Sequence, residues 1–250
     1  MSKQLFYLKQ DRDVQRFTLH GVTLADVTEA LSVTRPMIIC RTDIKGMRQS
    51  SRSRFRYIEA HELSSFSSKY LNNQTTFTAI DFPDYNTLET LSDHEIAEIL
   101  FLSHMERGIK KPFLDSLDNE IVFFNEANDR HSSLYIRDWS TINRFVQNML
   151  QSKLDRDIRN ISFVPIPLSV IDELLELAPQ GLIIDFDHTK RSLFNRQIVI
   201  SFYVAGRYED MSVLEEDFDA KKESIALKGQ LLYRRRTWQI ERLYGHTCNE

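Results

Sequence analysis

Hydrophobic residues recur along this chain with the two periods that distinguish helices from strands. The clearest helical period places Ile142, Phe145, Val146, Met149 and Leu150 at positions i, i+3, i+4, i+7 and i+8. Side chains with this spacing line one face of an α-helix, because one turn takes 3.6 residues. The pattern therefore predicts an amphipathic helix that buries this face against a core.

Two short polar motifs predict where other helices begin. Ser92 and Glu95 have the spacing of a capping box, in which the serine hydroxyl accepts from the N3 amide and the glutamate reaches back to the N-cap amide. Thr23 and Asp26 repeat this spacing in front of a shorter apolar pattern. Helices are therefore predicted to follow Ser92 and Thr23, with further helices at residues 59–71 and 171–178.

Strands are predicted where aliphatic, aromatic and β-branched residues run together between turn-forming residues. These segments are residues 4–9, 14–19, 37–40, 55–58, 75–82, 120–125, 134–136, 161–166, 182–186, 197–205 and 227–243, the last broken near Arg235. Several consecutive segments are joined by fewer residues than the dozen or so that a parallel crossover needs. Neighbouring strands are therefore expected to run antiparallel.

Helices and strands are interspersed without strict alternation, which favours an α+β fold. We expect antiparallel or mixed sheets with amphipathic helices packed on one face. The polar stretch 151–160 is the candidate boundary between an N-terminal α+β region, residues 1–155, and a C-terminal sheet-rich region, residues 156–250. One continuous domain is the alternative.

The composition narrows the classes of partner. The chain has 250 residues, 32 basic and 36 acidic, with a net charge of −4, so nucleic acid is disfavoured as a partner but stays open. The N-terminus has no apolar signal region and no stretch approaches the length of a membrane span, so we expect no membrane partner and a cytoplasmic location. Cys40 and Cys248 are far apart in sequence and indicate no disulfide framework. No cofactor is predicted.

A run of cations forms the first candidate site. We call residues 41–56 the basic segment; its cations are Arg41, Lys45, Arg48, Arg52, Arg54 and Arg56. Guanidinium groups bind phosphate through forked hydrogen bonds, and an adjacent tyrosine can stack a base. We therefore predict ligand binding at Arg48, Arg52, Arg54, Arg56 and Tyr57. The alternative is a solvated loop in which the alternating residues 52, 54 and 56 share one exposed face of a strand.

An acidic segment offers a complementary charge. Residues 209–219 contain six carboxylates and no lysine or arginine, although the spacing and glycine of an EF-hand are missing. The segment can pair with the basic segment, within one chain or across a homo-oligomer. A solvated helix or loop is the other interpretation.

The stretch Leu182-Ile183-Ile184-Asp185-Phe186-Asp187-His188-Thr189 is an apolar strand that ends in Asp-x-Asp-x-Thr. It resembles the first motif of the haloacid-dehalogenase-like phosphohydrolases over these eight residues. The resemblance implies Asp185 as nucleophile, Asp187 as general acid/base and a magnesium ion between them. That family places the motif at the start of its domain and follows it with a helical crossover, for which no room exists before the strand at 197–205.

Two hypotheses of function follow, since the sequence does not by itself identify the activity. The favoured hypothesis is a non-catalytic intracellular binding or regulatory protein that engages an anionic ligand or a protein partner through the basic segment. The alternative is a metal-dependent phosphohydrolase that uses Asp185 and Asp187.

Overall fold

The computed structural model describes residues 4–42, 44–71, 75–105, 111–127, 131–157, 163–192, 197–206 and 227–244, with 213, 216, 218–220, 222 and 225. The chain forms two compact units. Unit 1 consists of Met1–Gln10, Thr18–Gly21 and Asn143–Glu250, and unit 2 of Asp11–Phe17 and Val22–Ile142. The predicted division at residue 155 stays a prediction.

The elements follow most of the predicted segments. The strands are β1 (Leu5–Asp11), β2 (Arg16–His20), β3 (Met37–Cys40), β4 (Arg48–Gln49), β5 (Arg56–Ile58), β6 (Phe77–Asp81), β7 (Ile121–Glu126), β8 (His131–Ile136), β9 (Leu182–Ser192), β10 (Gln197–Val204), β11 (Leu227–Arg234) and β12 (Thr237–Tyr244). The α-helices are α1 (Leu24–Ala30), α2 (Leu63–Tyr70), α3 (Tyr85–Thr90), α4 (Asp93–His104), α5 (Ile142–Asp157) and α6 (Leu168–Leu177).

Unit 2 is built on a sheet with the order β8-β7-β6-β3-β5-β4. Each described pairing in it is antiparallel, and Ile38 of β3 lies opposite Ile80 on one side and Tyr57 on the other. The side chains of Leu88, which belongs to α3, and Ile99, which belongs to α4, are buried in the same cluster as these three residues. The two helices therefore cover an apolar face of the sheet.

Unit 1 contains a sheet with the order β12-β11-β10-β9-β1, again with antiparallel pairing, and β1 neighbours β2. The β11–β12 hairpin turns at Arg235 and Arg236, which have φ of 53° and 65°. Positive φ at both turn residues matches the right-handed twist of the flanking strands. The predicted break near Arg235 is therefore a tight hairpin turn.

The predicted α+β class is confirmed, with antiparallel sheets and helices packed against them. Both predicted capping boxes form, with Thr23 and Asp26 starting α1 and Ser92 and Glu95 starting α4. Within the described part of the chain, no helix combines the length and hydropathy that a bilayer span requires.

The fold differs from the predicted segments at two places. Residues 163–166 were predicted to lie in a strand but have no regular secondary structure, whereas 161 and 162 lie outside the described residues. Helix α3 falls in a segment without a helical prediction. It begins at the N-cap Asp84, whose side chain accepts from the amide of Thr87 and so satisfies a free donor of the first turn.

Candidate anion-binding site

The basic segment is neutralised at several points by carboxylates of unit 2. Among the described residues, its arginines form ion pairs from Arg41 Nη1 to Glu126 Oε1 at 2.5 Å, from Arg48 Nη1 to Glu59 Oε1 at 3.2 Å and from Arg52 Nη2 to Asp93 Oδ1 at 3.0 Å. Arg48 also approaches Glu62 at 3.5 Å. Most residues of the acidic segment 209–219 lie outside the described residues, so its predicted pairing with the basic segment stays a prediction.

The middle of the basic segment wraps around one carboxylate. Glu89 Oε1 accepts from the hydroxyl of Ser50 at 2.8 Å and from the amide of Ser51 at 2.9 Å, and its Oε2 accepts from the hydroxyl of Ser51 at 2.5 Å. The amide of Arg52 lies 3.4 Å from Oε1. These donors, with Ser51 first among them, and a hydrogen bond with Tyr85 lower the pKa of Glu89 from 4.5 to about 2, although burial opposes the change. We call Ser50, Ser51 and Arg52 the serine nest.

Arg54 and Arg56 occupy different surroundings. Arg54 is exposed, has φ of 64° and forms no ion pair with any described carboxylate. Arg56 is half-buried and is the first residue of β5. Because Arg52 and Arg54 precede that strand, the predicted alternation of residues 52, 54 and 56 on one strand face does not occur.

Tyr57 is a core residue. Its side chain is 6% exposed, and its ring packs edge-on against Phe82 and at a tilt against Tyr85. Burial raises the pKa of its hydroxyl, and a hydrogen bond with Arg48 opposes that rise. Of the predicted ligand-binding residues, the structure thus brings Arg48 and Tyr57 together. The neighbours of the ring restrict the stacking surface that was predicted for it.

An open cavity of about 240 Å³ lies between the basic segment and α2. It is lined by Gly46, Tyr57, Ile58, Glu62, Ser65, Phe66, Lys69 and Tyr70. The rings of Phe66 and Tyr70 are 4.8 Å apart, and the Lys69 ammonium lies 4.8 Å from the Tyr70 ring centre. A hydrogen bond with Tyr70 raises the pKa of Lys69. The cavity therefore combines aromatic walls with a protonated lysine.

Asp185 lies on β9 in unit 1 and is 1% exposed. Its Oδ2 accepts from His188 Nδ1 at 2.7 Å, and its Oδ1 lies 3.3 Å from the amide of His188. The His188 side chain is 55% exposed. The carboxylate thus holds the imidazole through Nδ1 and leaves Nε2 to face outward. In this position the Asp185 carboxylate orients a histidine instead of presenting itself as a nucleophile.

Asp187 is directed to a different partner. Its Oδ2 accepts from the backbone amide of Gln4 at 2.9 Å. The pairing of β9 with β10 is irregular between Val199 and Ser201, and in an irregular ladder alternate residues need not share a face. Among the residues that the structure describes, no three histidine, cysteine, aspartate or glutamate side chains converge to hold a metal ion. The donors around Asp185 therefore do not fit the magnesium ion that the resemblance implies.

The connectivity around Asp185 also departs from the resemblance. β9 pairs antiparallel with both β1 and β10. Only positions 193–196 separate β9 from β10, far fewer than the dozen or so residues of a parallel crossover. The helical crossover of the phosphohydrolase family has no counterpart here.

Glu89 and Lys69 were missed as site residues. Lys69 belongs to the predicted helix 59–71, whereas Glu89 lies in α3, a segment without a predicted element. Glu89 is 39 positions from Ser50, so no local spacing connects the two.

Compared with known proteins, the chain matches no protein-family model, no curated protein and no solved structure.

Proposed function

We propose that this chain is a non-catalytic binding protein that takes a small anionic ligand in the cavity beside the basic segment. The observation that carries the proposal is the cavity itself, which joins aromatic side chains, a lysine and Gly46 of the basic segment. Ligand sites are typically concave and largely apolar, with a few polar groups that orient the ligand. This arrangement has that character.

The charges around the cavity favour an anion. Lys69 lines the wall, and the exposed Lys45 is the sequence neighbour of Gly46, another wall residue. Arg48 lies 3.5 Å from Glu62, the acidic residue of the wall, and so offsets its charge. An incoming carboxylate or phosphate then meets Lys69, which has no described carboxylate partner.

The size and the walls restrict the ligand class further. A cavity of about 240 Å³ is smaller than the roughly 300–1,000 Å³ of sites for drug-sized ligands. Phe66 and Tyr70 line it, and stacking of a nucleobase on an aromatic side chain is worth roughly 1–3 kcal/mol per base. We therefore infer a ligand with a single aromatic ring and one phosphate or carboxylate group.

Replacing Lys69 with alanine is expected to weaken that ligand at least about tenfold. A hydrogen bond to a charged group contributes roughly 1.5–3 kcal/mol, and about 1.4 kcal/mol corresponds to a factor of ten. Calorimetric titration with phenyl phosphate, benzoate and mononucleotides measures the affinity. Lys111→Ala, which removes an exposed lysine outside the cavity, is the matched control. Equal affinities for Lys69→Ala and the original chain would contradict the proposal.

A second candidate function, acid–base catalysis on a phosphate ester, is favoured by the bond between Asp185 and His188. A histidine held by a buried carboxylate keeps one tautomer and can exchange a proton at the outward nitrogen. In this hypothesis Asp185 is a positioning residue and His188 transfers the proton.

Substitutions can distinguish the role of Asp185 from that of Asp187 in the second candidate function. We expect Asp185→Asn and His188→Ala each to lower hydrolysis of p-nitrophenyl phosphate by at least about 100-fold, the usual contribution of a general acid or base. Asp187→Asn is the control, since Asp187 bonds the Gln4 amide instead of His188. Assays with and without Mg²⁺ test the metal-dependent form. Turnover that survives Asp185→Asn would remove both catalytic hypotheses for this strand.

A further inference from the structure

The donors of the serine nest converge as they do in sites for oxyanions. The hydroxyls of Ser50 and Ser51 and the amides of two successive residues, Ser51 and Arg52, surround one carboxylate group, which also has a hydrogen bond with Tyr85. Successive amides that point into one concavity form an anion-binding nest, and phosphate is the ligand that such nests bind in many proteins. Here the occupant is Glu89, a side chain of the same unit.

We propose that the serine nest is a binding site for a phosphate monoester group, and that Glu89 is an internal occupant which the phosphate displaces. The nest shares no residue with the cavity, so the proposal stands whether or not the cavity binds a ligand. The serine nest would be a second anion site, located within the basic segment, and the Glu89 carboxylate would control access to it.

The nest keeps its shape by contacts that do not involve Glu89. The hydroxyls of Ser50 and Ser53 are 2.7 Å apart, and the Ser53 amide donates to the Ser50 hydroxyl at 3.1 Å. The Ser50 amide also donates to the carbonyl of Phe55 at 3.0 Å. Ser50 and Ser53 are both buried. Ser50, which begins the nest, is therefore held in place on the core side when Glu89 leaves.

The surroundings of the nest favour a phosphate over the carboxylate that fills it. A phosphate monoester carries about −1.5 to −2 charge and three acceptor oxygens, whereas a carboxylate carries −1 and two oxygens. Arg54 is exposed and without a described ion pair. Arg52 pairs with Asp93, whose side chain is 91% exposed, and exposed pairs are weak enough to exchange partners. The Arg52 guanidinium, whose own amide belongs to the nest, is then available to the extra charge.

The position of Glu89 allows its side chain to leave the serine nest. It is half-buried and next to the last residue of α3, a helix of only 6 residues. Its low pKa shows how strongly the donors favour a negative group at this point. Displacement by phosphate exchanges one anion for another without leaving the donors unsatisfied.

The test is a titration with inorganic phosphate at pH 7.5, followed by amide chemical shifts. We expect Glu89→Ala to lower the phosphate dissociation constant at least tenfold relative to the original chain, with Glu89→Gln intermediate. Glu98→Ala, which removes an exposed glutamate of α4, is the matched control and should leave the constant unchanged. Thermal unfolding of each variant verifies that it is folded.

Double variants show whether the phosphate binds at the serine nest or in the cavity. Ser51→Ala in the Glu89→Ala background should abolish the gained binding, because Ser51 supplies a hydroxyl to the nest. Lys69→Ala in the same background should preserve it, which separates the nest from the cavity. If neither Glu89→Ala nor Glu89→Gln binds phosphate more tightly than the original chain, Glu89 is a structural tether and the proposal is wrong. Gained binding that survives Ser51→Ala would also overturn it.

Discussion

Gly181→Ala is expected to destabilise unit 1 by about 3–4 kcal/mol. Gly181 follows α6 with φ of +80°, and a Cβ atom on it would lie 1.9 Å from the carbonyl oxygen of Gly206. Left-handed backbone costs a non-glycine residue roughly 1–2 kcal/mol. Relieving the clash also disturbs the bonds from Tyr7 Oη to the Gly206 carbonyl and from the Ala205 amide to the Gly181 carbonyl, each worth about 1 kcal/mol.

Gly206→Ala separates the two causes of this loss. Gly206 has φ of +85°, but no described atom lies within 4 Å of a Cβ built on it. The control should therefore lose only the roughly 1–2 kcal/mol of backbone strain. Urea denaturation of the two variants gives their free energies of unfolding. Equal losses would mean that the close approach of residues 181 and 206 contributes nothing.

The second large effect is a fall in stability between about pH 4 and pH 6 that originates at Asp81. Asp81 is 1% exposed at the end of β6, and burial raises the pKa of its carboxyl from 3.8 to about 6. The amides of Ile121 and Glu120, which both donate to Oδ1, and the nearby Arg35 oppose that rise. Burial is the larger influence because the whole side chain is removed from water.

The direction of the change in stability with pH follows from proton binding by the folded and unfolded chains. Between pH 3.8 and about 6 the folded chain holds the Asp81 proton and the unfolded chain releases it. Unfolding therefore becomes easier as pH rises through this range, by about 3 kcal/mol for a shift of roughly two pH units. Glu89 acts in the opposite sense and only at lower pH, because its folded pKa lies below its ordinary 4.5.

Asp81→Asn tests whether the fall in stability with rising pH originates at Asp81. Its side-chain oxygen can still accept from the Glu120 and Ile121 amides, but it has no proton to release. We expect the free energy of unfolding of the variant to lose this decline between about pH 4 and pH 6. Asp84→Asn, at an exposed helix cap, should keep it. A decline of the same size in Asp81→Asn would place its origin in another group.

Local signals in the sequence were reliable wherever a few neighbouring residues determine the structure. The capping boxes at Thr23 and Ser92 satisfy helix amides within three residues, so spacing alone identifies them. The turn at Arg235 lies between two strands that pair with each other and that both contain apolar and aromatic residues. Because these features depend on contacts between residues close in sequence, local patterns were sufficient to predict where these helices and this turn lie along the chain.

The sites depend on contacts that the sequence spreads far apart. The serine nest is filled from a helix 39 positions away, and the arginines meet carboxylates of several other elements. A strand was predicted at 161–166, yet Val164 uses its carbonyl to accept from the Trp238 indole at 2.7 Å. Apolar patterns report burial, but they do not report which partner satisfies a backbone group.

The chain order of unit 1 has a consequence for its synthesis. The amide of Gln4, just before β1, bonds to Asp187, 183 positions later in the chain. At roughly 5–20 residues per second, a ribosome needs about 10–40 s to produce that partner strand. β2 is available to one edge of β1 almost at once, whereas the other edge waits for β9. The apolar stretch Leu5–Leu8 is therefore exposed to chaperones and to other nascent chains throughout that interval.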